Sequence, residues 1–130
     1  LPGVDDDDVD AAIAAALGDL AEHVTIERLL CEDATASSID TDLYRAIEAA
    51  LTQRYPDASV VPVLFPGGTD LRVARRRGGI GYGFGAVDSG ASLGQVYSQL
   101  HAHDEHIALV DVRATAEVLH EVATTYLTHV

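Results

Sequence analysis

The chain has 130 residues, of which 21 are Asp or Glu and 8 are Lys or Arg, so the formal net charge is −13 at pH 7. A chain this acidic repels phosphate backbones, which argues against nucleic-acid binding. Its hydrophobic content of 48% suffices for a packed core and argues against disorder. No apolar run approaches the ~20 residues that span a bilayer, so we expect no membrane segment.

Two further features concern the origin of the chain and its compartment. The chain contains no methionine and begins Leu1-Pro2-Gly3, so we expect that its natural N-terminus was processed or that it belongs to a longer protein. Its single cysteine, Cys31, excludes an internal disulfide and a cysteine-based zinc site, and its apolar context predicts a small buried side chain. No signal-peptide pattern opens the chain, and we expect a cytoplasmic location.

The N-terminal part of the chain predicts one helix followed by one strand. Apolar residues at helical spacing predict a helix over 5–20, with the four aspartates 5–8 in its first turn. We interpret these carboxylates as a cap that opposes the helix macrodipole, rather than as a cation site. The apolar run 23–31 predicts a strand, and the small polar residues 34–39 predict a connector at a domain boundary.

The remainder of the chain alternates between helical and strand-like patterns. An apolar face over 40–55, ended by Pro56, predicts a second helix. Further elements are expected in this order: a strand at 59–64, a turn at 65–70, a short helix at 71–77, a glycine-laced strand at 79–85, a mobile loop at 86–94, and a last helix at 112–127 capped by Asp111. Alternating strands and helices indicate the α/β class.

Histidines are concentrated in one short stretch. His101, His103 and His106 lie within six residues, and Asp104 and Glu105 stand among them. Imidazole and carboxylate groups suit zinc, so the stretch is a candidate metal site. Ordinary surface histidines would give the same pattern, and the residues alone leave both interpretations open.

A second candidate site is the turn Gly67-Gly68-Thr69-Asp70. Bare backbone N–H groups and a threonine hydroxyl could hold a carboxylate, and Asp70 could orient a histidine. A tight turn with an Asp cap would be equally typical of this string. The glycines of 79–85 lack the spacing of a dinucleotide loop.

The order of these motifs carries a resemblance. Gly67-Gly68-Thr69-Asp70-x-Arg72, the glycine-laced run 79–85, His101-x-x-Asp104-Glu105-x-Ile107 and a closing helix follow one another. Together they resemble the C-terminal third of the zinc-dependent aminoacylase and carboxypeptidase family, which includes acetylornithine deacetylase, succinyl-diaminopimelate desuccinylase and glutamate carboxypeptidase. The resemblance implies that 1–34 is the tail of an α+β lid, or dimerisation, domain. It implies that 35–130 is the C-terminal part of an α/β catalytic domain.

The resemblance also implies roles for individual residues. His101 would be the family's C-terminal zinc ligand, and His103 and His106 occupy variable positions without a role. The remaining matches are Asp104 and Glu105 beside the metal ligands, and Gly67, Gly68, Thr69, Asp70 and Arg72 on the substrate side.

The function implied by the resemblance is metal-assisted hydrolysis of an amide or peptide bond. The intact enzyme would hold two zinc ions, act on peptides or acyl-amino acids, and form a homodimer. The family's other ligands and its general base, a Glu in a Glu-Glu pair, lie in the N-terminal part of the catalytic domain and have no match here. We therefore expect this chain to be inactive alone. Two alternatives remain: a non-catalytic binding or dimerisation module, and a small metal-binding protein that uses the histidine cluster.

Overall fold

The computed structural model describes residues 3–30, 32–65 and 67–128, and within them every regular element is a helix. The α-helices are α1 (Asp6–Leu17), α2 (Asp42–Arg54), α3 (Leu71–Arg75), α4 (Leu93–Gln99) and α5 (Leu109–Thr128), and a 3₁₀ helix spans Gly18–His23. Helices account for 51% of these residues and strands for 0%, so the predicted α/β class is wrong. No helix in the described part of the chain is long and apolar enough to cross a membrane.

The predicted strands are wrong because a strand requires a partner. His23 ends the 3₁₀ helix, and residues 24–30, 59–64 and 79–85 lie outside regular secondary structure. Their β-branched and apolar residues give a local preference for extended backbone, but a ladder forms only when a second strand supplies its N–H and C=O groups. None of these segments pairs with another among the described residues, so the expected sheet and the expected α+β lid tail are absent there. The prediction for Cys31 lies outside the described residues.

The chain divides into two compact units. The first unit comprises Leu1–Ser37 and Val63–Gly81, which contain α1, the 3₁₀ helix and α3. The second unit comprises Ser38–Pro62 and Tyr82–Val130, which contain α2, α4 and α5. The domain boundary expected near 34–35 refers to a larger parent protein and stays a prediction.

In the first unit, the start of α1 confirms that its aspartates form a cap. The Asp5 carboxylate accepts a hydrogen bond from the Asp8 N–H at 2.9 Å, and the Asp8 carboxylate accepts one from the Asp5 N–H at 3.2 Å. Arg28 forms ion pairs with Asp6 and Asp10. These carboxylates therefore satisfy the exposed N–H groups of the helix and a neighbouring guanidinium.

The end of α3 is set by a glycine. Gly78 has φ 81°, a left-handed conformation that glycine adopts without steric cost. The Gly79 N–H donates to the Ala74 carbonyl at 2.9 Å, and the Gly78 N–H donates to the Arg75 carbonyl at 3.0 Å. This Schellman arrangement closes the helix that follows the 67–70 turn.

In the second unit, α2 and α5 pack against each other around a core of small side chains. The Thr41 hydroxyl caps α2 by accepting a hydrogen bond from the Tyr44 N–H at 3.1 Å. The buried residues are Ala46, Ile47 and Ala50 of α2, Ala114, Val118 and Val122 of α5, and Ala86 between them in sequence. Because four of these seven side chains are alanine, the core is thin, and half-buried larger residues such as Tyr55 and Phe84 cover its edges.

Candidate functional site

The candidate metal-ligand region is the loop 100–106, which leaves the end of α4. A capping box begins α4: the Ser92 hydroxyl accepts from the Gln95 N–H at 3.3 Å, and the Gln95 side-chain oxygen accepts from the Ser92 N–H at 2.7 Å. Sequence reasoning missed this helix and predicted a mobile loop up to residue 94. The pattern Ser92-x-x-Gln95 was the signal that could have found it.

Within this loop, His101 has a left-handed backbone conformation. Its φ is 60°, and it is the only residue other than glycine with a positive φ in the described part of the chain. Such a conformation is uncommon for a residue with a Cβ, although His adopts it more often than most. The side chains of His101, Asp104 and Glu105 are exposed and form no ion pair or side-chain hydrogen bond within the described residues. The loop thus presents one imidazole and two carboxylates to solvent.

The imidazole of His106 spans the same loop. Its Nδ1 lies 2.6 Å from the Asp104 carbonyl oxygen, and its Nε2 lies 3.3 Å from the side-chain nitrogen of Gln99. His103 forms no side-chain hydrogen bond within the described residues. His103 and His106, for which no role is predicted, therefore differ in their side-chain contacts, and the sequence pattern did not indicate this difference.

The turn predicted to face a substrate is occupied by local contacts. The Thr69 hydroxyl accepts from the Leu71 N–H at 3.4 Å, and the half-buried Arg72 forms an ion pair with Glu32 at 3.0 Å. Asp70 is exposed and makes no capping hydrogen bond, so the interpretation as an Asp cap is wrong.

The two glycines of this turn differ in their surroundings. A Cβ at Gly67 would collide with the Phe65 ring, whereas a Cβ at Gly68 would meet no atom within 4 Å. Only Gly68 therefore offers an open approach to the backbone on that side.

The predicted site residues fall into two groups. Gly67, Gly68, Thr69, Asp70 and Arg72 belong to the first unit, whereas His101, Asp104 and Glu105 belong to the second. No group of three or more His, Cys, Asp or Glu side chains in the described part of the chain could hold a metal ion. A catalytic zinc site uses about three protein ligands and an open position. The donors of loop 100–106 fit zinc chemically, but they form part of a ligand set at most.

A buried carboxylate that sequence reasoning placed differently is Asp111. We predicted it as the cap of a helix beginning at 112, but α5 begins at Leu109 and places Asp111 inside the first turn. It is 8% exposed and accepts hydrogen bonds of 2.7 Å from the Asp88 N–H, the Ser89 N–H and the Ser89 hydroxyl. The bond from the Ser89 hydroxyl, followed by those from the two N–H groups, holds the pKa of Asp111 below its ordinary value although burial opposes this.

A charged network lies beside Asp111. Arg54 forms ion pairs with Asp88 and Glu117, and the Tyr55 hydroxyl donates to Asp88. The Arg54 guanidinium holds the pKa of Asp88 below its ordinary value, and burial, with a smaller effect of Asp88, raises the pKa of Tyr55. An open groove of about 250 Å³ runs along Arg54 and Glu117. Because these charges already pair with each other, the network explains the packing of the segment near 88 rather than a reaction.

Comparison with known proteins adds no relative. The chain matches no protein-family model, no curated protein and no solved structure among those compared with it. The motifs of the sequence and the geometry of the loop therefore carry the functional argument by themselves.

Proposed function

We propose that the chain is the C-terminal part of a di-zinc hydrolase of amide or peptide bonds, to which it contributes one zinc ligand and part of the substrate pocket. The observation that carries the proposal is His101, whose exposed imidazole has no hydrogen-bond partner within the described residues. A side chain in this state can donate a ring nitrogen to zinc. Its left-handed backbone costs roughly 1–2 kcal/mol, and backbone strain of this kind concentrates at functional sites.

The exposed area supports the view that further polypeptide covers this chain. Its accessible surface is 10110 Å² for a mass of 13.7 kDa. A folded monomer of that mass exposes roughly 6,600 Å², and two separate folded units of half the mass expose roughly 8,000 Å² together. The excess of the chain's accessible surface over the value for two separate units is larger than the roughly 800 Å² that each partner buries in an interface of standard size.

The composition of the exposed surface points in the same direction. Val61, Val63 and Leu64 are 67%, 66% and 64% exposed, and Leu29 and Leu30 are 87% and 79% exposed. These residues lie in two of the segments whose pattern predicts strands. Apolar segments of this kind are covered in a complete protein, because exposed they promote association. The remainder of the parent hydrolase is the partner that the proposal assigns to them.

In the proposed enzyme, each group of this chain has a limited task. His101 supplies a neutral imidazole nitrogen, and the carboxylates of Asp104 and Glu105 orient the ligands around it. Bound zinc would supply Lewis-acid activation of water and of the substrate carbonyl. The 67–70 turn would bind the carboxylate of a peptide or acyl-amino acid, and that carboxylate would replace Glu32 as the ion-pair partner of Arg72. Since the general base is assigned to the missing part, the chain alone should be inactive.

The first test is to read the coding DNA upstream of Leu1. We expect an open reading frame that encodes a His-x-Asp motif and a Glu-Glu pair. A frame that starts immediately upstream without these motifs would leave the non-catalytic module as the better hypothesis. A homodimer and a cytoplasmic location belong to the same proposal and are checked by sedimentation and by cell fractionation of the parent protein.

The second test replaces His101 in the parent protein, with His103→Ala as the matched control in the same loop. We expect His101→Ala to weaken zinc affinity and hydrolysis by at least about 100-fold, because it removes a ligand, and His103→Ala to leave both unchanged. The isolated chain should hydrolyse neither dipeptides nor N-acyl amino acids with zinc or cobalt added. Turnover by the isolated chain, or full activity of the His101→Ala parent, would refute the proposal.

A further inference from the structure

We propose that His106 is a positioning residue, whose imidazole ties the end of α4 to the Asp104 carbonyl and so holds the loop that carries His101. The consequence for zinc rests on the proposed function, whereas the effect on the loop does not. His106 matches no functional position of the family resemblance, and its role follows from its contacts alone.

The two contacts of His106 require one and the same tautomer. A carbonyl oxygen only accepts hydrogen bonds, so the contact of 2.6 Å between Nδ1 and Asp104 requires the proton on Nδ1. The neutral ring then has an unprotonated Nε2, which accepts a hydrogen bond from the Gln99 side-chain amide at 3.3 Å. One neutral imidazole therefore satisfies both contacts, with Nδ1 as the donor and Nε2 as the acceptor.

The contact between His106 and Gln99 links the two ends of the loop, whereas the contact with the Asp104 carbonyl lies inside it. Gln99 is the last residue of α4, and the N–H of Leu100, the first residue of the loop, donates to the Tyr97 carbonyl at 3.3 Å. The loop between Gln99 and His106 is further held by two backbone hydrogen bonds. These run from the Ala102 N–H to the Gln99 carbonyl at 3.0 Å and from the Glu105 N–H to the Ala102 carbonyl at 3.3 Å. His101 lies inside this closed segment with its φ at 60°. A conformation that is unfavourable by itself persists only when its surroundings hold it.

These two contacts of His106 would serve the function by fixing the position of the metal ligand. A metal ligand has to be held within about 0.5 Å of its productive position by its supporting residues. The exposed side chain of His101 has no direct support within the described residues. Its position is therefore determined by the backbone of the loop, and His106 is the side chain that fixes this backbone.

The experiment uses the full 130-residue chain and three variants: His106→Ala, His106→Asn and the matched control His103→Ala. Nitrogen-15 NMR of the imidazoles reports the tautomer of His106, and amide hydrogen exchange reports the loop at Ala102 and Glu105. We expect the Nδ1-protonated tautomer in the unaltered chain and exchange at both amides about fivefold faster in His106→Ala, as the loss of one hydrogen bond requires. His103→Ala should leave exchange unchanged.

The conservative variant separates positioning from a general effect of mutation. Asn places a side-chain N–H near the position of Nδ1, so His106→Asn should keep the bond to the Asp104 carbonyl and restore most of the protection. An Nε2-protonated ring in the unaltered chain, or equal exchange in His106→Ala and His103→Ala, would overturn the inference.

The effect on zinc is measured in the parent protein by competition with a chelator. We expect His106→Ala to weaken zinc affinity about tenfold, as is usual when the support of a ligand is lost, and His106→Asn to recover it. If His101→Ala abolishes zinc binding while His106→Ala changes neither zinc affinity nor exchange, this inference fails and the proposed function stands. If His106 controls amide exchange in the loop while zinc binding is independent of His101, the proposed function fails and the positioning role of His106 stands.

Discussion

At the scale of single residues, Asp111 is the side chain with the clearest structural task. Its carboxylate accepts three hydrogen bonds from Asp88 and Ser89, which lie more than twenty residues earlier in the chain. These bonds attach the segment after Ala86 to the first turn of α5. A buried carboxylate with this many N–H and O–H donors is stabilised in its charged form, and removing the charge leaves the donors poorly paired.

We expect Asp111→Asn to lower the melting temperature by about 4–8 °C at pH 7, since an amide cannot accept all three bonds. The pKa of Asp111 is lowered in the folded chain, so its contribution is complete above the ordinary value of 3.8 and is lost as the pH falls through the lower folded value. The difference between the two proteins should therefore shrink below about pH 4. Thermal melts between pH 3 and pH 7 measure it.

The control for this prediction is Asp104→Asn. Asp104 is exposed and its carboxylate forms no hydrogen bond or ion pair within the described residues. Its substitution should leave the melting temperature nearly unchanged at every pH in the series. A constant difference between Asp111→Asn and the unaltered chain down to pH 3 would contradict the assignment of the effect to the charge.

At the scale of the helices, the packing of α2 against α5 depends on alanine. Ala114 is fully buried on α5, and Ala46 and Ala50 are buried on α2. Because a methyl group occupies little space, the helices can approach closely at these positions, and no larger side chain fits there without displacing its neighbours. The interface that organises the second unit is therefore sensitive to added volume.

We expect Ala114→Leu to lower the free energy of unfolding by about 1–3 kcal/mol, the usual cost of overpacking a closely packed core. The matched control is Ala116→Leu, which makes the same change two residues along α5 at an exposed position. Because leucine and alanine both favour helix, the control should change stability by less than about 0.5 kcal/mol. Urea unfolding followed by circular dichroism compares them, and equal losses would show that α5 is not packed as described.

The sequence predicted most of the helices. It did not predict that the strand-like segments form no sheet among the described residues. The pattern over 40–55 predicted α2 because apolar periodicity and the proline after it are local signals, and Thr41 and Pro56 lie next to the helix ends. The runs 59–64 and 79–85 could not be settled in this way, because a sheet depends on a partner that is distant in sequence or on another chain.

For the candidate site, the sequence identified the residue types but not their contacts. It predicted His101 as a ligand through a resemblance, and that assignment stays a prediction. It gave no sign that His106 contacts Gln99 and Asp104 or that Arg72 pairs with Glu32, because a side-chain contact depends on loop geometry that residue spacing does not determine. The positive φ of His101 also has no local signature, since a histidine adopts it only where its surroundings require it.

At the scale of the whole chain, the amount of surface buried on folding is low. An unfolded chain of 13.7 kDa exposes roughly 19,900 Å², and the folded chain exposes 10110 Å². Two separate compact units of half that mass would together expose roughly 8,000 Å², so this chain buries about a fifth less surface than two such units. Exposed apolar side chains such as Val61, Val63 and Leu64 contribute to the difference.

This shortfall predicts the response to denaturant, because the slope of the unfolding free energy against urea concentration scales with the area exposed on unfolding. We expect the slope for the isolated chain, summed over its two units, to be about a fifth below the summed slope of two compact units of half the mass. In the proposed parent hydrolase, the slope attributable to the same residues should rise, since its remaining polypeptide would cover Val61, Val63 and Leu64. A slope for the isolated chain equal to that of compact proteins would mean that these segments are covered within the chain itself. In that case the proposed need for further polypeptide would lose its physical basis.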